Sequence, residues 1–420
     1  VPAYAWWGRG RAYALFGLVI LAAALPGAIV ADAHLRAWAP GAAPLVDGLV
    51  AYGIAAAALH LLALVQPRAR SPRFRRGVSL PGLVFLAAGF LAGLWSLALL
   101  PLRGMLALLG DARALALLRP FDLVPFAVTA LSLVTSTRLV PEVVRIPLAA
   151  DGPAELARLP VERHRRRVPP PLARRPLRIV QIADPHLGPW QPPQRLRRRL
   201  AELLAHDPDL VLLTGDFLTM EGAAARGALG QALAPLRDHA GRAFAILGNH
   251  DHEYLDEVRH ALRTTGVTLL VDAEAVTETA VGPVQLLGAD WVARGRREHI
   301  RALLARFPRR EGHLRLLLLH DPSVFRHVPK GAVDLTLSGH THGGQLGLVS
   351  VGLDWTVLRR TAWPDHGLFG HGANRLYVHR GTGFYGFPMR IGVPGEASLL
   401  EVIPPLQSSG VKSSAAELMQ

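Results

Sequence analysis

Three long apolar stretches, residues 13–31, 44–65 and 80–102, restrict what this chain can fold into more than any other feature. Each has the roughly twenty residues that a helix needs to cross a bilayer. They are apolar on all sides, whereas a helix packed in a soluble domain shows one apolar stripe. A weaker fourth run spans 123–137, with Pro125 inside it. A secretory signal is a poor account of the first run, which lacks a small-residue cleavage site and is followed by others of equal length. Residues 1–140 are therefore expected to form a membrane domain of about four transmembrane helices.

The formal charge of +14 is carried almost wholly by arginine. Arg9 and Arg11 precede the first run, and Arg68, Arg70, Arg73, Arg75 and Arg76 crowd the connection after the second. Arg138 and Arg145 follow the fourth. The first connection offers only Arg36, and in the third Arg103, Arg113 and Arg119 stand with Asp111. Counted by the positive-inside rule, four spans leave both termini in the cytoplasm. The expectation is a multi-pass inner-membrane protein with its later domain on the cytoplasmic side; without the fourth span, that domain changes sides. The runs show no intramembrane charge pair of the kind a transporter needs.

Residues 141–176 read as an Arg/Pro-rich juxtamembrane linker. Beside a bilayer, such arginines are attracted to anionic headgroups by about 1 kcal/mol each. The partner expected is thus anionic lipid, with no specific nucleic acid. The chain has no cysteine, which excludes disulfides and thiolate chemistry and fits a reducing compartment. Any metal site must be built from His, Asp, Glu and Asn.

From residue 177 the pattern changes to short apolar strands alternating with amphipathic helices, the mark of an α/β domain. Strands are expected at 177–182, 210–213, 243–247, 284–287, 314–319, 335–337, 376–379 and 398–403. Helices are expected at 194–205, 222–237, 253–264 and 296–306. The domain is taken to end near 405, with a polar, disordered tail over 406–420.

Five of these strands end on metal-binding residue types. The first runs into Asp184-Pro185-His186, the second into Thr214-Gly215-Asp216, and the third into Gly248-Asn249-His250-Asp251. The fifth ends on His320, and the sixth on Gly339-His340-Thr341-His342. In extended chain residues i and i+2 share a face, so paired donors project together. Strands feeding loops at one sheet edge bring such side chains to a common crevice, and Gly215, Gly248 and Gly339 permit tight turns there.

In this order, D-x-H, G-D, G-N-H-D, H and G-H-T-H-G-G-Q resemble the calcineurin-like metallophosphoesterases. The ending, with Arg380-Gly381-Thr382-Gly383 through Met389-Arg390 to Pro394-Gly395-Glu396, resembles that family's membrane-associated branch. The likeness covers 177–405. It implies a four-layer α/β/β/α sandwich with two divalent metal ions, Mn²⁺ first and Fe or Zn²⁺ next. It implies one ion on Asp184, His186, Asp216 and His342, and the other on Asp216, Asn249, His320 and His340. Pro185 and Gly395-Glu396-Ala397 depart from the usual pattern. Two such cations, about 3.5–4 Å apart, acidify a water that attacks phosphorus in line with the leaving group.

His250, left unligated by the pattern, is expected to act as a donor or general acid. Asp251 is expected to orient its ring or to cap the following helix. Arg380 and Arg390 are read as contacts for a second phosphate or a headgroup, against plain surface charge. The implied activity is membrane-anchored hydrolysis of a phosphoester or pyrophosphate, with a lipid-linked, UDP-diacylglucosamine-like substrate. Soluble phosphodiesters such as cyclic nucleotides are the rival substrates, and a catalytically silent membrane sensor or scaffold is the rival of another class.

Overall fold

A computed structural model describes residues 2–65, 70–165, 169–188, 191–219, 226–386 and 389–404. The tail expected to be disordered, 406–420, and the first turn of the helix expected at 222–237 lie outside the described residues. The N-terminal third is helical: α1 (Pro2–Arg9), α2 (Arg11–Trp38), α3 (Ala43–Val65), α4 (Leu80–Leu108), α5 (Ala112–Leu118) and α6 (Val124–Ser136). With the short turns that join them, four stretches are long and apolar enough to cross a membrane: Gly17–Trp38, Pro40–Val65, Pro72–Leu108 and Ala112–Ser136. The fourth is longer than its apolar core because Asp111 starts a helical turn before it, accepting from the Ala114 amide at 2.9 Å.

Lipid tails are as apolar as leucine, so helices in a bilayer associate through close van der Waals packing at small residues. α2 and α4 cross on such a seam: a Cβ at Gly89 would lie 2.4 Å from the Ala24 carbonyl oxygen, and one at Gly27 2.2 Å from that of Gly89. The expectation of no charge pair among these helices needs correcting. Arg103 reaches Asp122 at 2.8 Å, and the same buried carboxylate takes His34 from α2. The partners stand 19 and 88 positions apart, so the pair does not show in the sequence.

Helix α6 runs almost directly into β1 (Leu139–Pro147). There follow β2 (Ala157–Leu159), β3 (Glu162–His164), β4 (Leu177–Ile182), α7 (Pro193–Leu204), β5 (Leu210–Leu213), α8 (Ala228–Leu233) and β6 (Ala243–Ala245). Next come α9 (Leu255–Thr264), β7 (Thr268–Leu269), β8 (Ala273–Thr279), β9 (Gly282–Gly288), α10 (Arg296–Arg306), β10 (Leu314–Leu318) and β11 (Leu335–Ser338). The chain closes with β12 (Gly367–His371), β13 (Asn374–Val378) and β14 (Gly395–Ile403). They form two seven-stranded sheets, ordered β3-β1-β14-β4-β5-β6-β7 and β2-β12-β13-β11-β10-β9-β8.

The inner faces of the sheets meet in a core that includes Ile179, Leu212, Leu286, Leu316 and Leu400. Outside the first sheet pack α7, α8 and α9; α7 turns Leu196, Leu200 and Leu203 inward at helical spacing. α10 covers the second sheet with Ile300, Leu303 and Leu304. This is the expected four-layer sandwich.

The expected linker is the main departure. β1 lies inside the first sheet, parallel to β14 from Leu139 opposite Gly395 to Pro147 opposite Ile403, and β3 flanks it. Pro141 and Pro147 mask a strand whose Val144 and Ile146 are fully buried. Several of the described arginines there meet carboxylates of the protein. Arg145 meets Glu401 at 3.0 Å, Arg163 and Arg165 meet Glu142 at 3.2 and 3.3 Å, and Arg158 pairs with Asp365. Among the described residues, 148–156 and 169–176 keep the irregular character expected of the whole segment.

Gly89→Val should lower bundle stability by about 1–3 kcal/mol through overpacking. The check is helical circular dichroism during heating in detergent. Gly104→Val, whose Cβ meets nothing within 4 Å, should leave the transition in place.

Candidate metal centre

β4, β5 and β6 run parallel in one sheet, and β10 and β11 run parallel in the other. The turns after their C-terminal ends face one crevice between the sheets. The backbone there is contorted. Asp184, His186, Asp216, His340 and His342 have φ of 49°, 42°, 58°, 72° and 51°, and they are five of the eight non-glycine residues with positive φ among the described residues. Each such residue costs about 1–3 kcal/mol and persists only where its surroundings fix it. Here the Asp184 amide donates to the Gly215 carbonyl at 3.0 Å and the His186 amide to that of Asp216 at 3.1 Å. Side chains of neighbouring turns pass so closely that a Cβ at Gly248 would lie 2.2 Å from Asp216 Oδ1. One at Gly339 would lie 2.3 Å from Asp184 Oδ2.

Two groups of donors result: Asp184, His186 and His342, and Asp216, His320 and His340, with the ligand atoms of each group within 4.8 Å of one another. His186 Nε2 and His342 Nε2 are 3.1 Å apart. Asp216 Oδ2 lies between the groups, 3.7 Å from His186 Nε2 and 3.3 Å from His320 Nε2. Asn249 Oδ1 adds a neutral oxygen 3.1 Å from His320 Nε2. All seven side chains expected from the sequence therefore meet in one place.

This set fits divalent cations by charge and by unmet bonding. Burial, helped by Asp216, pushes the Asp184 carboxyl up to about 7. Burial pulls His186 down to about 3 and His340, beside His320, down to about 4. Both rings are thus kept in the neutral form that binds metal. His320 is drawn the other way, since Asp216 outweighs its burial and carries it up to about 10. Its Nδ1 faces the Thr214 carbonyl at 2.8 Å, which turns Nε2 into the crevice. His186 Nδ1 is buried without a hydrogen-bond partner. Buried carboxylates crowded together, with nitrogen donors facing one another, are short of positive charge.

His250 stands at the mouth, its ring stacked 4.6 Å from that of Tyr385, which also lies 5.1 Å from His186. Its Nδ1 faces Glu253 at 3.6 Å. Although burial opposes its charge, Glu253 and Asp216 raise its pKa above the ordinary histidine value. Asp251 neither orients this ring nor caps a helix. Its buried carboxylate accepts from the amides of Asp216, Phe217 and Gly248 at 2.7, 2.8 and 2.8 Å, tying two donor turns together. Glu253 holds the place given to Asp251. Tyr385 was missed because a lone aromatic in a glycine-rich loop carries no periodic signal.

Arg380 and Arg390 are also corrected, since both are fully buried. Arg380 pairs with Glu142 and lies 3.6 Å from Glu396. Arg390 donates to the carbonyls of His342 (3.1 Å), Arg380 (2.7 Å) and Gly383 (2.5 Å), and its Nη2 is 3.2 Å from His342 Nδ1. They position the donor loops. Asp251→Ala should destabilise the protein by about 3 kcal/mol or more, leaving three buried amides unpaired, read as an earlier thermal transition. Asp251→Asn, which keeps an acceptor oxygen, should cost less.

The family model for calcineurin-like phosphoesterases matches residues 177–344. Phosphodiesterase YaeI of Escherichia coli is 30% identical over a stretch taking in 54% of this chain and 83% of that protein. An uncharacterized metallophosphoesterase of Helicobacter pylori is 29% identical, over 55% of this chain and 61% of its own. A transmembrane protein with a metallophosphoesterase domain from Danio rerio is 29% identical, over 51% of this chain and 50% of its own. Since the family match runs through every turn that carries a donor, the chain belongs to the calcineurin-like phosphoesterases and is a metal-dependent hydrolase of phosphate esters.

Proposed function

We propose that the chain is a membrane-anchored, two-metal phosphohydrolase acting on a lipid-linked phosphoester or pyrophosphate, UDP-diacylglucosamine-like in chemistry. One observation carries the reading. The last turn of α6 is bolted to the loop that holds the donor turns: Thr135 Oγ1 donates to the Arg390 carbonyl at 2.8 Å, and the Arg390 amide to Ser136 Oγ at 2.7 Å. Arg390 in turn grips His342. A site fixed to the end of a membrane span meets headgroup phosphates before soluble ones. The arginine distribution around the spans supports a cytoplasmic catalytic domain.

In this reading Asp184, His186 and His342 would hold one ion, Asn249, His320 and His340 would hold the other, and Asp216 would serve both. Such a pair, when bound, lowers the pKa of water and neutralises phosphate charge. Asp216 also fixes the mouth, accepting from the His250 amide at 2.9 Å through Oδ1. His250, whose proton affinity Glu253 and Asp216 raise against its burial, donates to the leaving oxygen or to the phosphate. Tyr385 stacks against it and holds the ring toward the crevice.

His250→Ala should keep its metals and lose about 10²–10⁴-fold in turnover, measured by metal analysis beside diester hydrolysis. Unchanged turnover ends the assignment of His250. In nanodiscs, the protein should release the headgroup of UDP-diacylglucosamine faster than it cleaves cyclic nucleotides or a nitrophenyl diester. The opposite order would favour soluble diesters, and no metal-dependent turnover of any of them would favour a silent scaffold.

A further inference from the structure

Among the described residues, eight large apolar side chains beyond α6 are exposed, and seven lie in or beside one loop. Leu348, Val351, Leu353, Trp355, Val357 and Trp363 are 43–69% exposed, and Tyr385 adjoins them at 44%; only Val276 lies elsewhere. Single exposed apolar residues are ordinary, but a contiguous group marks a contact surface.

The loop is built rather than slack. The Leu348 amide donates to the Trp355 carbonyl at 2.8 Å, the Leu353 amide to that of Leu348 at 3.2 Å and the Val357 amide to that of Leu346 at 3.0 Å. Thr356 is buried at its base and bonds Asp365 at 2.6 Å. These bonds hold the loop in a fixed shape that turns its apolar side chains outward.

Its position indicates what covers it. The loop leaves directly from the His342 turn. The Gly347 amide bonds the Ile391 carbonyl at 2.9 Å, and the Ser350 amide that of Gly392 at 2.8 Å. These are the residues after Arg390, the one α6 clamps. Near that end of α6, Leu131 and Val134 are themselves 65% and 49% exposed, so apolar surface recurs on both sides of the joint. Between the two tryptophans stand Arg359 and Arg360, both exposed. Tryptophan with arginine is the composition of a membrane interface, the ring at headgroup depth and the cation on anionic lipid.

We propose that residues 348–363 insert into the headgroup layer of the leaflet that receives the end of α6, forming a lipid-facing apron beside the metal centre. This rests on the reading of the apolar helices as membrane spans, and not on which phosphoester is cleaved. A lipid-linked phosphate would then enter along the leaflet, past Tyr385, without leaving the bilayer surface.

The chain's lack of cysteine permits a direct test in the intact protein. Leu353→Cys, Ile54→Cys in α3 and Val276→Cys are each labelled with an environment-sensitive fluorophore. Each is placed in nanodiscs of zwitterionic and anionic lipid, with and without a lipid-borne quencher. At an insertion depth of about 5–10 Å, the label at 353 should lose about half its intensity to the quencher, the label at 54 should be quenched, and that at 276 should be untouched. A label at 353 that behaves like the one at 276 overturns the apron while leaving the spans intact. Unquenched labels at both 54 and 353 overturn the spans and the apron together. A shielded but unquenched label at 353, sensitive to the number of chains per disc, overturns it in favour of a second copy.

Discussion

The fold is arranged around a concentration of buried negative charge and opposed nitrogen donors at the junction of two sheets. Asp184 and Asp216 are almost wholly removed from water beside four histidines and Asn249. Five donor residues sit in left-handed backbone conformations that an unconstrained chain avoids. Neither the crowding nor the contortion contributes to stability by itself. Both are sustained by the cores above and below, by amide bonds between turns, and by the Asp251 carboxylate that gathers three amides. Strain held at a functional site in this way keeps ligands in place before anything binds.

A second charge cluster joins the membrane segment to this site. Glu142 on β1, the first strand after α6, meets Arg163, Arg165 and Arg380, and Glu396 takes Tyr377 and the Arg380 amide. Removing one partner of a buried pair strands its charge, at about 3–5 kcal/mol, so the cluster pins β1 against β14 and the Arg380–Arg390 loop. The membrane helices are thus continuous with the sheet that presents the donors, and an anchor on a flexible tether is not what the chain builds. Arg390 touches both sides of this joint.

Much of the site was legible because its chemistry is local. Asp184 and His186, or His340 and His342, announce themselves as paired donors at a strand end, and the strands themselves are short apolar runs. What could not be read depends on residues far apart in sequence. Asp251 acts on Asp216, 35 positions away. Arg380 finds Glu142 238 positions away, so two buried arginines looked like surface or substrate contacts. The strands at 139–164 were hidden because prolines and arginines read as linker until carboxylates elsewhere answer the charge. β8, polar and lying at a sheet edge, and β12, bounded by glycine and histidine, give equally little apolar signal.

Metal content tests the central claim most directly. Purified protein should carry about two divalent ions per chain. Asp216→Ala, lacking the carboxylate shared by both donor groups, should lose most of that metal together with its hydrolytic activity. Wild-type metal content in that variant, or undiminished hydrolysis by protein stripped of every ion, would contradict the account.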